Sequence, residues 1–219
     1  MLTVWCCNTN HHAPDEEIRI LQRQVERHLK QPHIFQCVSQ HHIDGVHNVQ
    51  PINDLPGWWI KTSLFSGSVS HPRNLFLDTD VVITGSLDEL VAPLTENSQI
   101  RTCLNWAVNG RGGVQSSVLY WQGVGATIIH DEFKSEWAHW PPREDRYWSN
   151  GQKQHGDQCW MTYLRDMKRL NVEYFNTDHV KSYKYHCRQG LPPGTRVVSF
   201  HGNPKPPAVG DHWVKEARA

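Results

Sequence analysis

The sequence predicts an α/β fold, a single domain with a mostly parallel central sheet flanked by helices. Three observations carry that expectation. Short apolar runs of strand length alternate with segments of helical period. The chain, 219 residues long, suits one well-buried domain and is short for two. Its longest apolar runs fall far below the roughly 18 residues that a membrane-spanning helix needs.

Taken in order, residues 2–7 (LTVWCC) form an apolar strand that ends in the polar loop Asn8, Thr9, Asn10. Residues 15–30 carry Ile18, Leu21, Val25 and Leu29 at helical spacing, and Pro32 ends that helix. Residues 33–38 are a second strand. Ligands of such sheets bind beyond the carboxyl ends of the strands, which places Asn8 where a nucleotide could lie. Residues 41–56 read as a polar, turn-rich loop whose histidines are solvated. Residues 57–65 (GWWIKTSLF) read as a helix with Lys61 near the entrance to the next strand, where its ammonium can meet a phosphate or a sugar hydroxyl.

Residues 74–90 (NLFLDTDVVITGSLDEL) organise the chain. Two carboxylates, Asp78 and Asp80, interrupt an otherwise apolar, β-branched strand, and ionised carboxylates are costly there unless a cation or hydrogen-bond donors compensate them. In an extended segment they would face the same way with Thr79 turned aside. Two hard oxygen ligands of this kind suit Mn²⁺ or Mg²⁺. Ser86 followed by Asp88 and Glu89 reads as the N-cap and first turn of a short helix.

Residues 101–108 and 114–121 are further strands, separated by a Gly-rich turn at 110–113 that matches no phosphate-loop fingerprint. Residues 132–150, rich in tryptophan, proline and charge, suggest a lid or an acceptor-side insertion. Residues 156–164 read as a helix whose first turn carries Asp157 and Gln158. Near the end, residues 196–206 (RVVSFHGNPKP) form a strand ending in His201 and Gly202, followed by Lys205 between two prolines. An imidazole nitrogen, a glycine that admits close backbone approach and a fixed cation make a coherent metal and diphosphate site with the distant acidic pair.

These segments, LFLDTDVVI, GDQ at 156–158 and HGNPKP at 201–206, resemble three motifs of the GT-A nucleotide-sugar glycosyltransferases, in that family's order. The nearest resemblance is to the retaining, glycogenin-like and galactosyltransferase-like group. It implies a metal-dependent enzyme that moves a sugar from a nucleotide-diphospho-sugar, with UDP as the nucleotide, to an acceptor hydroxyl. It implies Asp78, Asp80 and His201 as ligands of Mn²⁺ or Mg²⁺ and Lys205 as the diphosphate contact; Asn8, Lys61, Thr79, Ser116 and Gly202 join Asp78, Asp80 and Lys205 in the expected donor-binding set. Asp157 and Gln158 would act at the donor sugar. Gln115-Ser116-Ser117 stands where that family has Asn-Ser-Gly, and the C-terminal motif is one residue tighter between histidine and glycine. Residues 1–120 with 196–206 would form the donor part and 121–195 the acceptor or lid part.

Cleavage of a sugar–phosphate bond develops positive charge at the anomeric carbon and negative charge on the departing diphosphate, which a metal and Lys205 would answer. With retention, the departing phosphate can take the acceptor proton; with inversion, Asp157 is the first candidate base. A nucleotidyltransferase or phosphohydrolase would want more carboxylates near the first pair, and Asp88 and Glu89 are the nearest supply. A non-catalytic nucleotide- or carbohydrate-binding module is a further alternative.

Lysine plus arginine and aspartate plus glutamate number 22 each, so no overall field recruits nucleic acid or an anionic membrane. A hydroxylated DNA base stays open as acceptor, through a groove of Arg143, Arg146, Lys153, Lys181, Lys184 and Arg188 with Trp140, Trp148 and Tyr183 as stacking surfaces. A saccharide, a protein or a small metabolite are the other acceptors. The N-terminus has neither the basic start nor the apolar core of a signal peptide, and the expected compartment is the cytoplasm, with six free cysteines.

Overall fold

The computed structural model describes residues 1–9, 12–52, 55, 57–106, 113–134 and 156–219. The Gly-rich turn at 110–112 and nearly all of the lid expected over 132–150 lie outside these residues, as do Trp140, Arg143, Arg146, Trp148 and Lys153.

The strands are β1 (Leu2–Cys7), β2 (His33–Val38), β3 (His47–Val49), β4 (Arg73–Leu77), β5 (Val81–Ile83), β6 (Ile100–Leu104), β7 (Val114–Gln122), β8 (Val172–Tyr174), β9 (Val180–Ser182) and β10 (Val197–Ser199). The α-helices are α1 (Asp15–His28), α2 (Ile128–Asp131), α3 (Gly156–Asp166) and α4 (His212–Arg218). A seven-stranded sheet runs β3-β2-β1-β4-β7-β6-β8, and a three-stranded sheet runs β5-β10-β9. In the large sheet only β7 runs against its neighbours, so the sheet is mostly parallel, as the alternation of strands and helices predicts.

Strand β1 lies between β2 and β4 and is covered on both faces, which is why its sequence is apolar apart from the buried Thr3 rather than alternating. Val4 and Cys6 face Ile18, Leu21 and Val25 of α1, while Trp5 joins Phe76 and Trp160 in the core on the other face. A third apolar cluster, with Tyr183, Phe200 and Val214, lies between the small sheet and α4. Trp5, Trp121 and Trp160 are fully buried, whereas Trp58 is 51% exposed.

Three local expectations are corrected. Residues 57–65 form a 3₁₀ helix rather than an α-helix, and every residue from Trp59 to Phe65 is buried. The loop at 41–56 contains the edge strand β3, whose sequence, His-Asn-Val, has no strand signature of its own and forms by pairing with β2. No helix starts at Ser86: its hydroxyl donates to the Asp88 carboxylate and accepts from the Asp88 amide, and Pro93 leaves too short a run for helical turns to propagate.

Arg101 knits the loop after β5 to the sheet. Its guanidinium, 8% exposed, donates to the carbonyls of Leu90, Ala92 and Pro93 and pairs with Glu173 at 2.8 Å. Burial, the largest influence on Glu173, raises its pKa, but the Thr95 amide and Arg101 outweigh it and hold the carboxyl below its ordinary value. The folded state therefore binds fewer protons here than the unfolded chain as pH falls. Its stabilisation is present above the ordinary glutamate pKa and is lost as pH drops through the folded value. Arg101→Ala is expected to cost about 3 kcal/mol at neutral pH, because three carbonyls and a carboxylate lose their donor. Denaturant unfolding at pH 7 and pH 3 checks this: the variant should lose less stability than the wild type between the two.

Candidate functional site

A cleft of about 450 Å³ opens at the carboxyl ends of β1 and β4, lined by Lys61, Asp78, Thr79, Asp80, Ser116, Asp157, Gln158, His201, Gly202 and Lys205 among others. Its floor is the point where the chain leaves one sheet for the other. Residues 78–81 form a turn, with the Val81 amide bonded to the Asp78 carbonyl at 3.3 Å. The Asp78 amide donates to Ser117 of β7 at 2.9 Å, and the Asp80 carbonyl accepts from Phe200 at the end of β10 at 3.1 Å. The acidic pair thus belongs to a turn pinned to both sheets, not to a continuous strand. Both carboxylates reach the cleft, and Thr79 lines it too instead of being turned aside.

Lys61, 7% exposed overall, is carried by the 3₁₀ segment beneath this turn. Its ammonium stands 2.8 Å from Asp78 and 3.5 Å from Asp157, and it donates to the Ser116 hydroxyl at 3.3 Å. Burial by itself would lower the lysine pKa; the charges of Asp157 and Asp78 together outweigh it and hold the ammonium well above the ordinary lysine range. Asp157 is the converse case. Burial pushes its carboxyl up, against the pull of Lys61 and a hydrogen bond with Ser116. At the start of α3, where both side chains line the cleft, Asp157 Oδ2 is buried with the Lys61 ammonium 3.5 Å away, and Gln158 Oε1 is buried without a hydrogen-bond partner among the described residues.

Asp80 is paired with Lys205. Burial and the neighbouring charge of Asp78 raise its pKa, and Lys205 opposes them. His201 shares its Nε2 with the Ser182 hydroxyl at 2.7 Å, and its ring is stacked between Trp106 and Tyr185 with centroids 5.7 and 5.9 Å away. Burial, then Lys184 and Lys205, lower its pKa and keep the imidazole neutral. Gly202 has φ +71°, a conformation that favours glycine, and a Cβ there would meet only the movable end of Lys184, its Nζ at 2.9 Å.

Asn8 has a different post from the one expected. Fully buried, it accepts from the Ala13 amide at 2.9 Å and donates to the Ala13 carbonyl at 3.0 Å, clamping the loop between β1 and α1. Its neighbours Cys7, Thr9 and His12 line the cleft instead. Among the described residues no three acidic, imidazole or thiol groups are close enough together to hold an ion, so Asp78, Asp80 and His201 share the cleft without forming a closed ligand set. The donor chemistry still suits a divalent cation: two carboxylates that disfavour each other's charge, and a neutral imidazole.

Asp88 and Glu89 do not supply a second metal site. Asp88 accepts from the Lys30 amide, and Glu89 stands 3.3 Å from His179, away from the cleft. Tyr183 is 8% exposed with its hydroxyl bonded to Asp211, so it offers no stacking face to a nucleic acid. Sequence reasoning missed Trp58, Ser182, Trp106 and Tyr185. Only the Gly-Trp-Trp pattern beside Lys61 carried a signal for one of them, since an exposed tryptophan cannot be told from a buried neighbour in a short helix.

The two sheets joined through an acidic turn have the fold of the GT-A glycosyltransferases. In particular, the whole chain is similar to the glycosyltransferase GlyE of Streptococcus pneumoniae TIGR4, with a TM-score of 0.71 at 14% identity, and spans 61% of that chain. It is similar over its whole length to the galactosyltransferase LgtC, solved with donor and acceptor sugar analogues, with a TM-score of 0.67 at 15% identity, and spans 95% of it. Mouse xyloside xylosyltransferase 1 is matched over 92% of this chain at a TM-score of 0.58. No protein-family profile and no curated protein sequence matches the chain, so the likeness is one of fold. None of the described helices is long and apolar enough to cross a membrane.

Proposed function

We propose that the protein is a metal-dependent glycosyltransferase that moves a sugar from a nucleotide-diphospho-sugar, with UDP as the nucleotide, to an acceptor hydroxyl with retention of configuration. The observation that carries this is the chemical division of one cleft. Lys205 offers a cation on one side, while Gln158 Oε1 on the other is a buried acceptor awaiting a donor, beside the Asp157 carboxylate that Lys61 pairs at 3.5 Å. A diphosphate brings only acceptors and answers the first; sugar hydroxyls bring donors and answer the second. The GT-A fold supports the reading.

Asp78, Asp80 and His201 would hold Mn²⁺ or Mg²⁺, and the ion would offset charge on the diphosphate leaving group. For that, Asp80 gives up Lys205 and His201 gives up the Ser182 hydroxyl. Lys205, 42% exposed at its side chain, is then available to the diphosphate. Lys61 holds Asp78 and Asp157 in place. Asp157 is buried and ion-paired, which suits it to fix sugar hydroxyls, and the departing phosphate takes the acceptor proton.

Calorimetry tests this with UDP and GDP titrated into the protein in Mn²⁺ and then in EDTA. UDP should bind at least tenfold more tightly with Mn²⁺. Folded protein that binds neither nucleotide under either condition would overturn the proposal.

A further inference from the structure

Lys184 is a cation that none of the three motifs contains. It sits in a single π-helical turn, Tyr183–Cys187, between β9 and β10. Isolated turns of this kind are rare and are frequent at functional sites. Its neighbours hold the turn in place: the Tyr183 ring is stacked on Phe200 with centroids 4.3 Å apart, Tyr185 is stacked on His201, and His186 Nδ1 accepts from the Ser182 amide at 3.0 Å. Held from both sides, the Lys184 ammonium reaches the C-terminal motif, where a Cβ on Gly202 would stand 2.9 Å from Nζ. Gly202 lines the cleft, so the cation stands at the cleft's edge.

The charge of this lysine is unmatched. Lys61 is paired with Asp78 and Asp157, Lys181 with Asp178 and Lys205 with Asp80, but Lys184 has no carboxylate partner among the described residues. It is half-buried, and its charge and that of Lys205 both reach His201. An ammonium so placed suits an anion, because a hydrogen bond between ionised groups is about twice as strong as one between neutral groups. Two ammonium groups around Gly202 suit an anion with charge on two centres, which a diphosphate has and a carboxylate lacks. Lys205 must leave Asp80 before it can serve such an anion. Lys184 has nothing to leave.

We propose that Lys184 is a second diphosphate-binding residue of the donor site and that, unlike Lys205, it holds the diphosphate without help from a metal ion. This rests on the glycosyltransferase reading above. It adds to the donor site a side chain from outside the three motifs, and it divides the work between two cations: Lys184 is available at once, and Lys205 joins when Asp80 releases it.

The test is calorimetry on the wild type, Lys184→Met and Lys184→Arg, with UDP, UMP and inorganic pyrophosphate as probes in EDTA, and with UDP again in Mn²⁺. In EDTA the wild type should bind UDP and pyrophosphate. Lys184→Met should weaken both by about tenfold, the scale of one charge-assisted hydrogen bond, while UMP affinity moves by less than about threefold. Lys184→Arg should keep most of the affinity, since the charge is retained. In Mn²⁺ the loss of UDP affinity in Lys184→Met should be smaller than in EDTA, because Lys205 is then free to share the anion. Three results would overturn the inference. The first is a wild type that binds neither UDP nor pyrophosphate in EDTA. The second is a Lys184→Met variant that binds both as tightly as the wild type. The third is a loss that falls equally on UMP, which makes Lys184 a contact of the nucleoside monophosphate. Pyrophosphate needs no nucleoside site, so it tests the lysine even if UDP binds under neither condition, the result that overturns the glycosyltransferase reading instead. Circular dichroism of both variants separates a lost contact from misfolding.

Discussion

Lys61→Met is expected to destabilise the fold by about 3–5 kcal/mol, the cost of leaving buried carboxylate charge without its partner. The lysine stands between Asp78 at 2.8 Å and Asp157 at 3.5 Å. Without it, the Ser116 hydrogen bond is left to oppose the burial that already raises the Asp157 pKa. A carboxyl whose folded pKa is raised keeps a proton that the unfolded chain has released. Stability contributed by that proton is present below the ordinary aspartate pKa and declines as pH rises towards the folded value, so the variant should unfold more readily at pH 8 than at pH 5. Wild-type stability from Lys61 is lost in the same direction but in a far more alkaline window: it is present throughout the range below the ordinary lysine pKa and is lost only as pH climbs above it. The double variant Lys61→Met with Asp157→Asn should recover part of the loss, since both sides of the pair become neutral. Urea unfolding of the two variants at both pH values decides the matter, and a single variant as stable as the wild type would remove Lys61 from its assigned role.

Asp80→Ala should separate activity from stability in the other direction. The Asp80 carboxyl is held above its ordinary pKa by burial and by the charge of Asp78. Removing one of two like charges relieves that repulsion, so the melting temperature should stay level or rise. Sugar transfer should fall by about 10²–10³-fold, the scale on which a group that stabilises leaving-group charge contributes. Functional carboxylates kept at a cost to stability produce this split. A variant that melts several degrees lower yet retains transfer would make Asp80 a structural partner of Lys205. Transfer assays and thermal unfolding on one preparation give both readings.

The parallel framework was legible in the residues because burial of both sheet faces writes itself as continuous apolar runs. Strand β1 comes close to such a run, β2 is broken only by Gln36 after its first residue, His33, and α1 shows its period between Ile18 and Val25. The acidic turn was legible as a chemical anomaly, two carboxylates in an apolar run. Its geometry was not. The strand alternation that would have pointed Asp78 and Asp80 the same way stops at Leu77, and a turn held by Ser117 and Phe200 brings them together instead. Asn8 shows the same limit from the other side. Its place after β1 was correct, but its amide is consumed by Ala13, a partner only five residues away that spacing does not reveal.

By itself, the sequence determined which residues carry charge into an apolar setting, Asp78 and Asp80 above all, and which segments must be buried. Those properties are local: side-chain chemistry, period and the conformational freedom of glycine and proline. The tertiary structure alone decided who meets whom. It set Lys61 between carboxylates 17 and 96 residues further along the chain, paired Lys205 with Asp80, stacked His201 between Trp106 and Tyr185, and laid Trp58 over Gly156. The physical reason is that each of these contacts joins different elements, and its energy exists only once the two sheets and α3 have closed around the cleft.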